Sequence, residues 1–306
     1  MIKNFREVLS LIRSLSKLDR QLDQVQINQG RILAALNQNM YSSELSDYEF
    51  KVFSQWGEDG ILQFLTSNLK IKNKTFVEFG IETFHESNCR FLMMKDRWSG
   101  FVIDGSEQNI NKLKRSYFYW QYPLNAISSF VTQENIENLL EKSNFEKDLG
   151  ILSVDIDGVD WHVLQKLNLW RASIIVVEYN GIFGTEYPLT VPYDPAFQRT
   201  NAHFSNLYYG ANLPAFDWLL KQREYSLVGV NSVGSNAFFV RNDLLNERVK
   251  AVAIGSCYRN STFREGRNKY GKLSFLADSN RGKLIAHMPL LNVLTGKTIT
   301  VGDVNG

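Results

Sequence analysis

The chain contains the stretch Phe76-Val77-Glu78-Phe79-Gly80 and, further on, the stretch Gly100-Phe101-Val102-Ile103-Asp104-Gly105. Both are short apolar runs that end in a carboxylate and a glycine. Such runs, bounded by polar turns, are typical of strands that are buried on both faces of a parallel sheet. Each acid then lies at the carboxyl end of its strand, which is the edge where open α/β sheets bind ligands.

The residue types at the two strand ends indicate what that edge binds. A glycine after the first strand lets the backbone approach a ligand closely. An acid that closes the second strand can accept hydrogen bonds from both hydroxyls of a ribose. The pair therefore predicts a cofactor that carries a nucleoside.

Strand-like and helix-like segments alternate from residue 46 onwards. Strands are predicted at 75–80, 100–104, 123–131, 150–155 and 173–178, and helical segments separate them. This alternation favours βαβ units and a mostly parallel sheet, which is the α/β class. Two further runs, 225–230 and 236–240, are joined by a short polar segment and predict an antiparallel hairpin appended to the sheet.

The chain upstream of residue 45 has a heptad pattern, and residues 1–45 are predicted to form a long helix. The apolar seam consists of Val8, Leu11, Leu15, Leu18, Leu22, Val25, Ile32 and Leu36, with Gln29 in the same register. A seam of about four heptads favours a coiled coil, so we expect a homo-oligomer through this helix. One alternative is a helix folded back on its own domain. A helix lying on a membrane surface ranks third, because its polar face is not strongly basic.

Composition limits the class of protein. The chain has 306 residues, of which 44% are hydrophobic and 13% aromatic, enough for one substantial core or two modest ones. The net charge of +2 is too small to imply nucleic-acid binding. Cys89 and Cys257 form neither a disulfide framework nor a metal-ligand spacing, which favours a reducing compartment. With no signal peptide and no apolar stretch long enough to span a bilayer, a cytoplasmic protein is expected.

The last part of the chain, residues 246–306, is predicted to be a basic extension packed on the main domain, 46–245. Its charged residues between positions 248 and 283 are mostly Lys and Arg. Such a run is either a solvated face or a patch for an anionic ligand.

Acids close four successive predicted strands: Glu78, Asp104, Asp155 with Asp157, and Glu178. Adjacent parallel strands place these acids along one rim of the sheet. Carboxylates packed so closely repel one another unless they are protonated, hydrogen-bonded or neutralised by a cation. Individual acids such as Asp157 or Asp160 can instead cap the following helix.

Several motifs together resemble the FkbM-type methyltransferases, a branch of the class I S-adenosylmethionine-dependent enzymes. The motifs are Ser54-Gln55-Trp56-Gly57-Glu58-Asp59, Phe76 to Gly80, Ser153-Val154-Asp155-Ile156-Asp157-Gly158 and Asn236 to Val240. The resemblance covers roughly residues 50 to 245. It implies a Rossmann-like sheet of seven strands with an antiparallel hairpin last. It also implies methyl transfer from S-adenosylmethionine, in many members to a hydroxyl of a sugar or natural product.

The resemblance also implies roles for single residues. Glu78 and Gly80 line the methionine end of the cofactor, Asp104 holds the ribose hydroxyls, and Asp155 stands near the reacting methyl. Gln55 and Gly105 complete the predicted cofactor site. The chain has Asp157 where the family usually has Glu, and Ile81-Glu82-Thr83-Phe84-His85 contains none of the additional glycines that usually follow the first one.

Methyl transfer requires alignment of an acceptor oxygen with the methyl carbon and a base for its proton. Asp157 and Glu178 in the rim, and His203 in the loop after the fifth strand, are the predicted catalytic residues. Some related sugar O-methyltransferases use magnesium, for which Asp155, Asp157 and Glu178 offer hard oxygen ligands.

The long loop after the fifth strand is rich in aromatic residues. Its tyrosines can stack on a carbohydrate acceptor or seal the core beneath the loop; they are Tyr179, Tyr187, Tyr193, Tyr208 and Tyr209.

Two other functions stay open. The chain is alternatively a catalytically silent relative that serves as a binding or scaffold module in a glycan-assembly complex. A nicotinamide-dependent oxidoreductase is disfavoured, because the three-glycine turn that cradles a pyrophosphate is absent.

Overall fold

The computed structural model describes residues 2–262, 264–277 and 279–304, with side chains from residue 17 onwards. The strands are β1 Thr75–Phe79, β2 Ser99–Asp104, β3 Leu124–Ser128, β4 Asp148–Val154, β5 Arg171–Glu178, β6 Leu189–Thr190, β7 Tyr225–Val230, β8 Asn236–Arg241, β9 Pro289–Asn292 and β10 Thr298–Thr300.

The helices are α1 Ile2–Gln38, α2 Glu58–Asn68, α3 Arg90–Asp96, α4 Glu107–Arg115, α5 Tyr117–Gln121, α6 Ile136–Glu141, α7 Asp160–Lys166, α8 Arg199–Ala202, α9 Leu213–Lys221, α10 Ile254–Cys257, α11 Ser279–Leu284 and α12 Val301–Val304. Short 3-10 turns lie at Leu45–Tyr48, Gly181–Phe183 and Asn242–Leu244.

The central sheet has seven strands in the order β3-β2-β1-β4-β5-β8-β7. Strands β3, β2, β1, β4 and β5 are parallel, whereas β8 pairs antiparallel with both β5 and β7. The prediction of a mostly parallel α/β sheet that ends in an antiparallel hairpin and follows a long helix is therefore confirmed.

Both faces of this sheet are buried, which explains why its strands read as continuous apolar runs. Alternate side chains of a strand point to opposite faces. In β1, Phe76 belongs to the core on one face, and Val77 and Phe79 belong to the core on the other. The same division holds along β4, where Ile151 and Leu152 lie on opposite sides.

The segment after β5 and the end of the chain form a second, smaller sheet that the sequence analysis did not predict. Its order is β10-β9-β6, with antiparallel pairing throughout. Leu189, Ile285, Leu290 and Val301 are fully buried in the cluster beneath it. The extension from residue 246 thus packs on the loop that follows β5.

Ser54 shapes the loop before α2 and is not the N-cap residue of this helix, which begins at Glu58 after Gly57. Ser54 instead accepts hydrogen bonds from the backbone N–H groups of Gly57 and Asp59. Asp59 in return accepts three backbone hydrogen bonds, from Val52, Phe53 and Ser54, which fold the preceding loop around its carboxylate.

Helix α1 docks on the domain through a face that the heptad seam does not include. Ile27 and Ala34 are buried there. Gly30 lies between them, and a Cβ at this position would come within 2.6 Å of Val52 and 2.7 Å of Phe91. The glycine therefore permits the close approach of this helix to the domain.

A buried ion pair holds the same helix face. Asp23 on α1 pairs with the guanidinium of Arg90, and the Tyr117 hydroxyl donates to the same carboxylate. The Arg90 side chain is 2% exposed and lies between the rings of Phe53 and Phe118, at 4.0 and 4.2 Å from their centroids.

The described residues contain no helix that is both long enough and apolar enough to cross a membrane.

We expect Asp23→Asn to destabilise the protein by about 3 kcal/mol, because it leaves the buried Arg90 guanidinium without a counter-charge. The measurement is the free energy of unfolding from urea denaturation. Asp19→Asn is the matched control, since Asp19 lies one turn earlier on the same helix and is exposed. Equal stabilities for the two variants would show that the pair does not anchor α1.

Candidate functional site

The strand-end acids lie at one edge of the sheet. Strands β2, β1, β4 and β5 are adjacent and parallel, so their carboxyl ends meet at the same edge. Glu78 is in register with Val102 of β2 and Ser153 of β4. The structure therefore brings Glu78, Asp104, Asp155 and Glu178 to neighbouring positions, as the sequence pattern indicates.

Glu78 holds the loop that leads into α3. Its carboxylate accepts hydrogen bonds from the Ser87 hydroxyl at 2.7 Å and from the backbone N–H groups of Asn88 and Cys89 at 2.8 and 3.3 Å. Burial nevertheless raises the pKa of this carboxyl to about 7. Glu78 is 4% exposed and does not line the cleft described below.

Asp104 closes β2 and organises two backbone segments at once. One carboxylate oxygen accepts a hydrogen bond from the Glu82 N–H at 2.7 Å, and the other accepts from the Ser106 N–H at 2.8 Å. The Asn109 side chain adds a third donor at 3.3 Å. Each carboxylate oxygen has two lone pairs, so this arrangement does not exhaust the acceptor capacity of Asp104.

Gly80 lies where the backbone after β1 comes very close to the backbone after β4. Its φ is +68°, and a Cβ would lie 1.7 Å from the carbonyl oxygen of Asp155. Glu82 and Phe84 also have left-handed φ values, of 46° and 62°. The loop thus adopts at non-glycine residues the backbone conformation that glycine usually supplies, and full burial of the Phe84 ring helps to offset the strain.

A cleft of about 240 Å³ opens at this edge, somewhat below the usual size range of ligand pockets. Of the predicted cofactor and catalytic residues, it is lined by Gly80, Asp104, Gly105, Asp155 and Asp157. Ile103, Phe130 and Val131 supply apolar walls, and Phe197 narrows the cleft from the loop after β5. Gln55, Glu78, Glu178 and His203 are not among the lining residues.

Three carboxylates form a cluster beside the cleft. Oxygens of Asp155, Asp157 and Glu178 lie within 4.8 Å of one another. Asp155 and Glu178 are both partly buried, so each carboxylate lies close to other negative charges with little solvent between them. Burial, and then the neighbouring negative charges, raise the pKa values of both carboxyls well above the ordinary range.

Arg199 supplies the positive charge of this cluster. Its guanidinium forms ion pairs with Asp157 and Glu265 and lies 3.9 Å above the ring of Tyr209. The Tyr209 hydroxyl donates to Glu178 at 3.2 Å. Sequence reasoning missed Arg199, because it lies in a loop far along the chain and no motif surrounds it.

Asp160 fixes the turn that carries Asp157. Its carboxylate accepts hydrogen bonds from the backbone N–H groups of Ile156 and Gly158, at 2.7 and 2.9 Å. Asp157 sits between them with a left-handed φ of 55°, a conformation that aspartate tolerates better than most residues. The capping alternative is therefore wrong for both acids, because helix α7 has Val159 as its N-cap residue and no side-chain capping hydrogen bond. The Asp157 side chain is exposed toward the cleft.

His203 and the nearby Asn180 have their contacts within the loop after β5 and with the end of the chain. His203 is hydrogen-bonded to the Ser205 hydroxyl at 2.7 Å and lies beside the rings of Phe204 and His287. The Asn180 side chain donates to the backbone carbonyls of two residues in the following loop, Leu207 and Tyr209, both at 3.0 Å.

Most tyrosines of the long loop seal the interior. Tyr179, Tyr208 and Tyr209 are at most 5% exposed. Tyr193 is half-buried, and its hydroxyl donates to Glu134 at 2.6 Å. Tyr187 is 42% exposed and is the most exposed of these five tyrosines.

We expect Gly80→Ala to destabilise the protein by more than about 2 kcal/mol, because the methyl group collides with the Asp155 carbonyl at a left-handed φ. Gly105→Ala is the control in the same cleft, since its nearest contact is 3.6 Å away, and it should cost less than about 1 kcal/mol. Thermal unfolding of both variants tests the difference. If Gly80→Ala is as stable as Gly105→Ala, the close approach is not required.

The paired carboxyls predict a pH effect on stability. Because the folded-state pKa values of Asp155 and Glu178 are raised, the folded protein binds more protons than the unfolded chain above the ordinary carboxyl range. The contribution of the pair to stability is therefore present at low pH and is lost as pH rises toward the raised values.

Glu178→Gln removes one charge and keeps the acceptor for Tyr209. We expect the melting temperature of the wild type to fall, relative to that of Glu178→Gln, as pH rises above the ordinary carboxyl range, from about pH 5 upward. Melting curves at increasing pH measure the difference. A constant difference between the two proteins would contradict the raised pKa values of the pair.

Comparisons with known proteins were made for sequence and for structure. No protein-family model and no curated protein sequence matches the chain. A solved structure from Staphylococcus aureus, provisionally assigned as a caffeoyl-CoA O-methyltransferase, aligns at 16% identity with a TM-score of 0.41, covering 74% of this chain and 98% of the other.

Two more solved structures carry methyltransferase titles. An O-methyltransferase family protein from Burkholderia thailandensis aligns at 10% identity with a TM-score of 0.36, covering 67% of this chain and 59% of the other. A SAM-dependent methyltransferase from Geobacter sulfurreducens, in complex with S-adenosyl-L-homocysteine, aligns at 11% identity with a TM-score of 0.34, covering 65% of this chain and 72% of the other.

Proposed function

We propose that the protein is an S-adenosylmethionine-dependent O-methyltransferase of the FkbM type. The observation that carries the proposal is the cleft at the carboxyl edge of the sheet, where Gly80, Asp104 and Asp155 converge from three adjacent strands. This edge is where open α/β sheets take nucleoside ligands. Among such ligands we choose S-adenosylmethionine because of the motif resemblance to FkbM-type methyltransferases.

The residues of the cleft fit the cofactor. Asp104 has acceptor capacity left for the ribose hydroxyls after its backbone hydrogen bonds are counted. Ile103, Phe130 and Val131 provide the apolar surface that a purine ring requires. We assign the backbone at Gly80 to the methionine end of the cofactor, and Asp155, whose carbonyl lies against Gly80, to the region of the reacting methyl. When bound, the cofactor supplies a methyl group that is already activated by its sulfonium.

The acid cluster supplies the base. A general base works best when its pKa lies near the operating pH, and the raised pKa values of Asp155 and Glu178 move this pair in that direction. Asp157 is the exposed member and faces the cleft. We assign Asp157 to contact with the acceptor hydroxyl and Glu178 to accepting its proton. His203 has its contacts elsewhere and is a weaker candidate.

The proposal also concerns the cation that balances the negative charge of Asp155, Asp157 and Glu178. Three carboxylates are a fitting oxygen set for magnesium. Arg199 already offers a fixed positive charge to Asp157, and an arginine remains protonated at any physiological pH. We therefore propose that Arg199 takes the place of a metal, with magnesium as the alternative.

The acceptor follows from the resemblance. A sugar hydroxyl, on a surface polysaccharide or on a nucleotide-sugar or glycoside, is the proposed substrate. Among the tyrosines of the long loop, Tyr187 has the most exposed ring and is therefore the one available for stacking on a sugar face.

A silent scaffold module in a glycan-assembly complex is the second candidate. It is favoured by the way the chain already satisfies its own acids. Glu78 and Asp104 accept hydrogen bonds from backbone groups, and Arg199 neutralises Asp157. A domain that has lost its ligand keeps such internal contacts.

Calorimetric titration with S-adenosylhomocysteine, with and without magnesium, separates these functions. We expect the wild type to bind and magnesium to leave the affinity unchanged. Asp104→Asn should weaken binding at least about tenfold, because hydrogen bonds from the ribose to a charged acceptor are lost.

Glu107→Gln is the control for this experiment, since Glu107 is an exposed acid just beyond the cleft on α4. It should bind as the wild type does. Circular dichroism checks that both variants are folded. Absence of binding by the folded wild type would overturn the methyltransferase proposal in favour of the scaffold.

A further inference from the structure

Helix α1 carries apolar side chains on two separate faces. The first face, with Ile27, Gly30 and Ala34, is buried against the domain. The second face is the heptad seam, and it stays open to solvent although the helix is already docked. Its described apolar members are between 48% and 64% exposed: Leu18, Leu22, Val25, Ile32 and Leu36.

Helix geometry separates the two faces widely. Each residue advances the helix by about 100°, so the line through positions 27, 30 and 34 lies about 150° around the axis from the seam. A helix with one apolar stripe needs one partner, and a helix with two opposite stripes needs two. The domain is the first partner of α1. No described residue of the chain covers the seam as a second partner.

The residues that flank the seam describe the missing partner. Asp19, Gln21, Gln26 and Asn28 lie beside it and are exposed, and of these four only Asp19 is charged. In a parallel pair in register, position 19 comes opposite position 14, a serine in the sequence, so two copies of this helix meet without repulsion between like charges. A helix that lies on a membrane instead carries Lys and Arg along the border of its apolar face.

Gln29 favours a second copy of the same chain as the partner of the seam. It occupies a position within the seam where apolar residues precede and follow it. Against an apolar surface its amide is left without partners. In a parallel pair in register, each residue of this kind faces its own copy, so the amide of one Gln29 can donate to and accept from the other.

We propose that α1 forms a parallel two-stranded coiled coil with α1 of a second copy of this chain. The helix has 37 residues, and the seam from Val8 to Leu36 spans about four heptads, which is sufficient for such a pairing. Because the docked faces point away from the seam, the two domains lie on the outside of the pair. Each copy keeps its own cleft, so the pairing does not depend on the proposed function.

The mass in solution tests the pairing. We expect the wild type to have twice its chain mass of 35.2 kDa by light scattering after size exclusion. The double variant Val25→Glu with Ile32→Glu should be monomeric, because each charge is buried in the seam. The control, Gln24→Glu with Gln38→Glu, adds the same charge at exposed positions of the same helix outside the seam and should remain a dimer.

A far-UV circular dichroism spectrum like that of the wild type shows that the seam variant is folded, since both of its altered residues are exposed in the single chain. A wild type that stays monomeric up to about 100 µM would overturn the proposal. So would a dimer that persists in the folded seam variant. Binding of a monomeric wild type to anionic vesicles would assign the seam to a membrane instead.

Cross-linking tests the orientation. Leu22→Cys and Leu36→Cys, made separately with Cys257→Ala, place thiols at equivalent seam positions near both ends of the described seam. In a parallel pair each thiol meets its own copy, and both variants should form disulfide-linked dimers. An antiparallel pair allows at most one of the two, and that result would overturn the parallel register. Gln24→Cys is the unlinked control.

Discussion

The constraint on which this structure depends is the charge gathered at one edge of its sheet. Parallel strands bring Glu78, Asp104, Asp155 and Glu178 together whether or not a ligand is present. The chain stabilises these acids by different means. Backbone N–H groups bind Glu78 and Asp104, whereas burial and neighbouring negative charges raise the pKa values of Asp155 and Glu178 and so favour their neutral forms.

The third means is Arg199, and it connects the acid edge to the rest of the chain. Its guanidinium joins Asp157 to Glu265, which belongs to the extension after the main sheet, and its position above Tyr209 couples both to the core. The second sheet and the cluster beneath it hold the loop that carries this arginine. Residues late in the chain thus hold the arginine that neutralises an acid at the end of an earlier strand.

Sequence patterns predicted the central sheet well because periodicity and turn residues are local. The ends of β1, β2 and β5 lie within about two residues of their predicted positions. The loop before α2 depends on hydrogen bonds between Ser54 and Asp59, which no periodic pattern indicates. Of the predicted site residues, Asp104 and Asp155 line the cleft, whereas Gln55 and His203 do not, because loop paths are not local properties.

The sequence by itself determined which residues form buried strands and which acids end them, because alternation, apolar runs and glycines act over a few residues. It also determined that α1 has a heptad seam. Only the tertiary structure decided that α1 docks through its other face, where Gly30 permits close contact, and that Arg199 meets Asp157. Such contacts join residues far apart in the chain, and their free energy depends on burial, which no local pattern encodes.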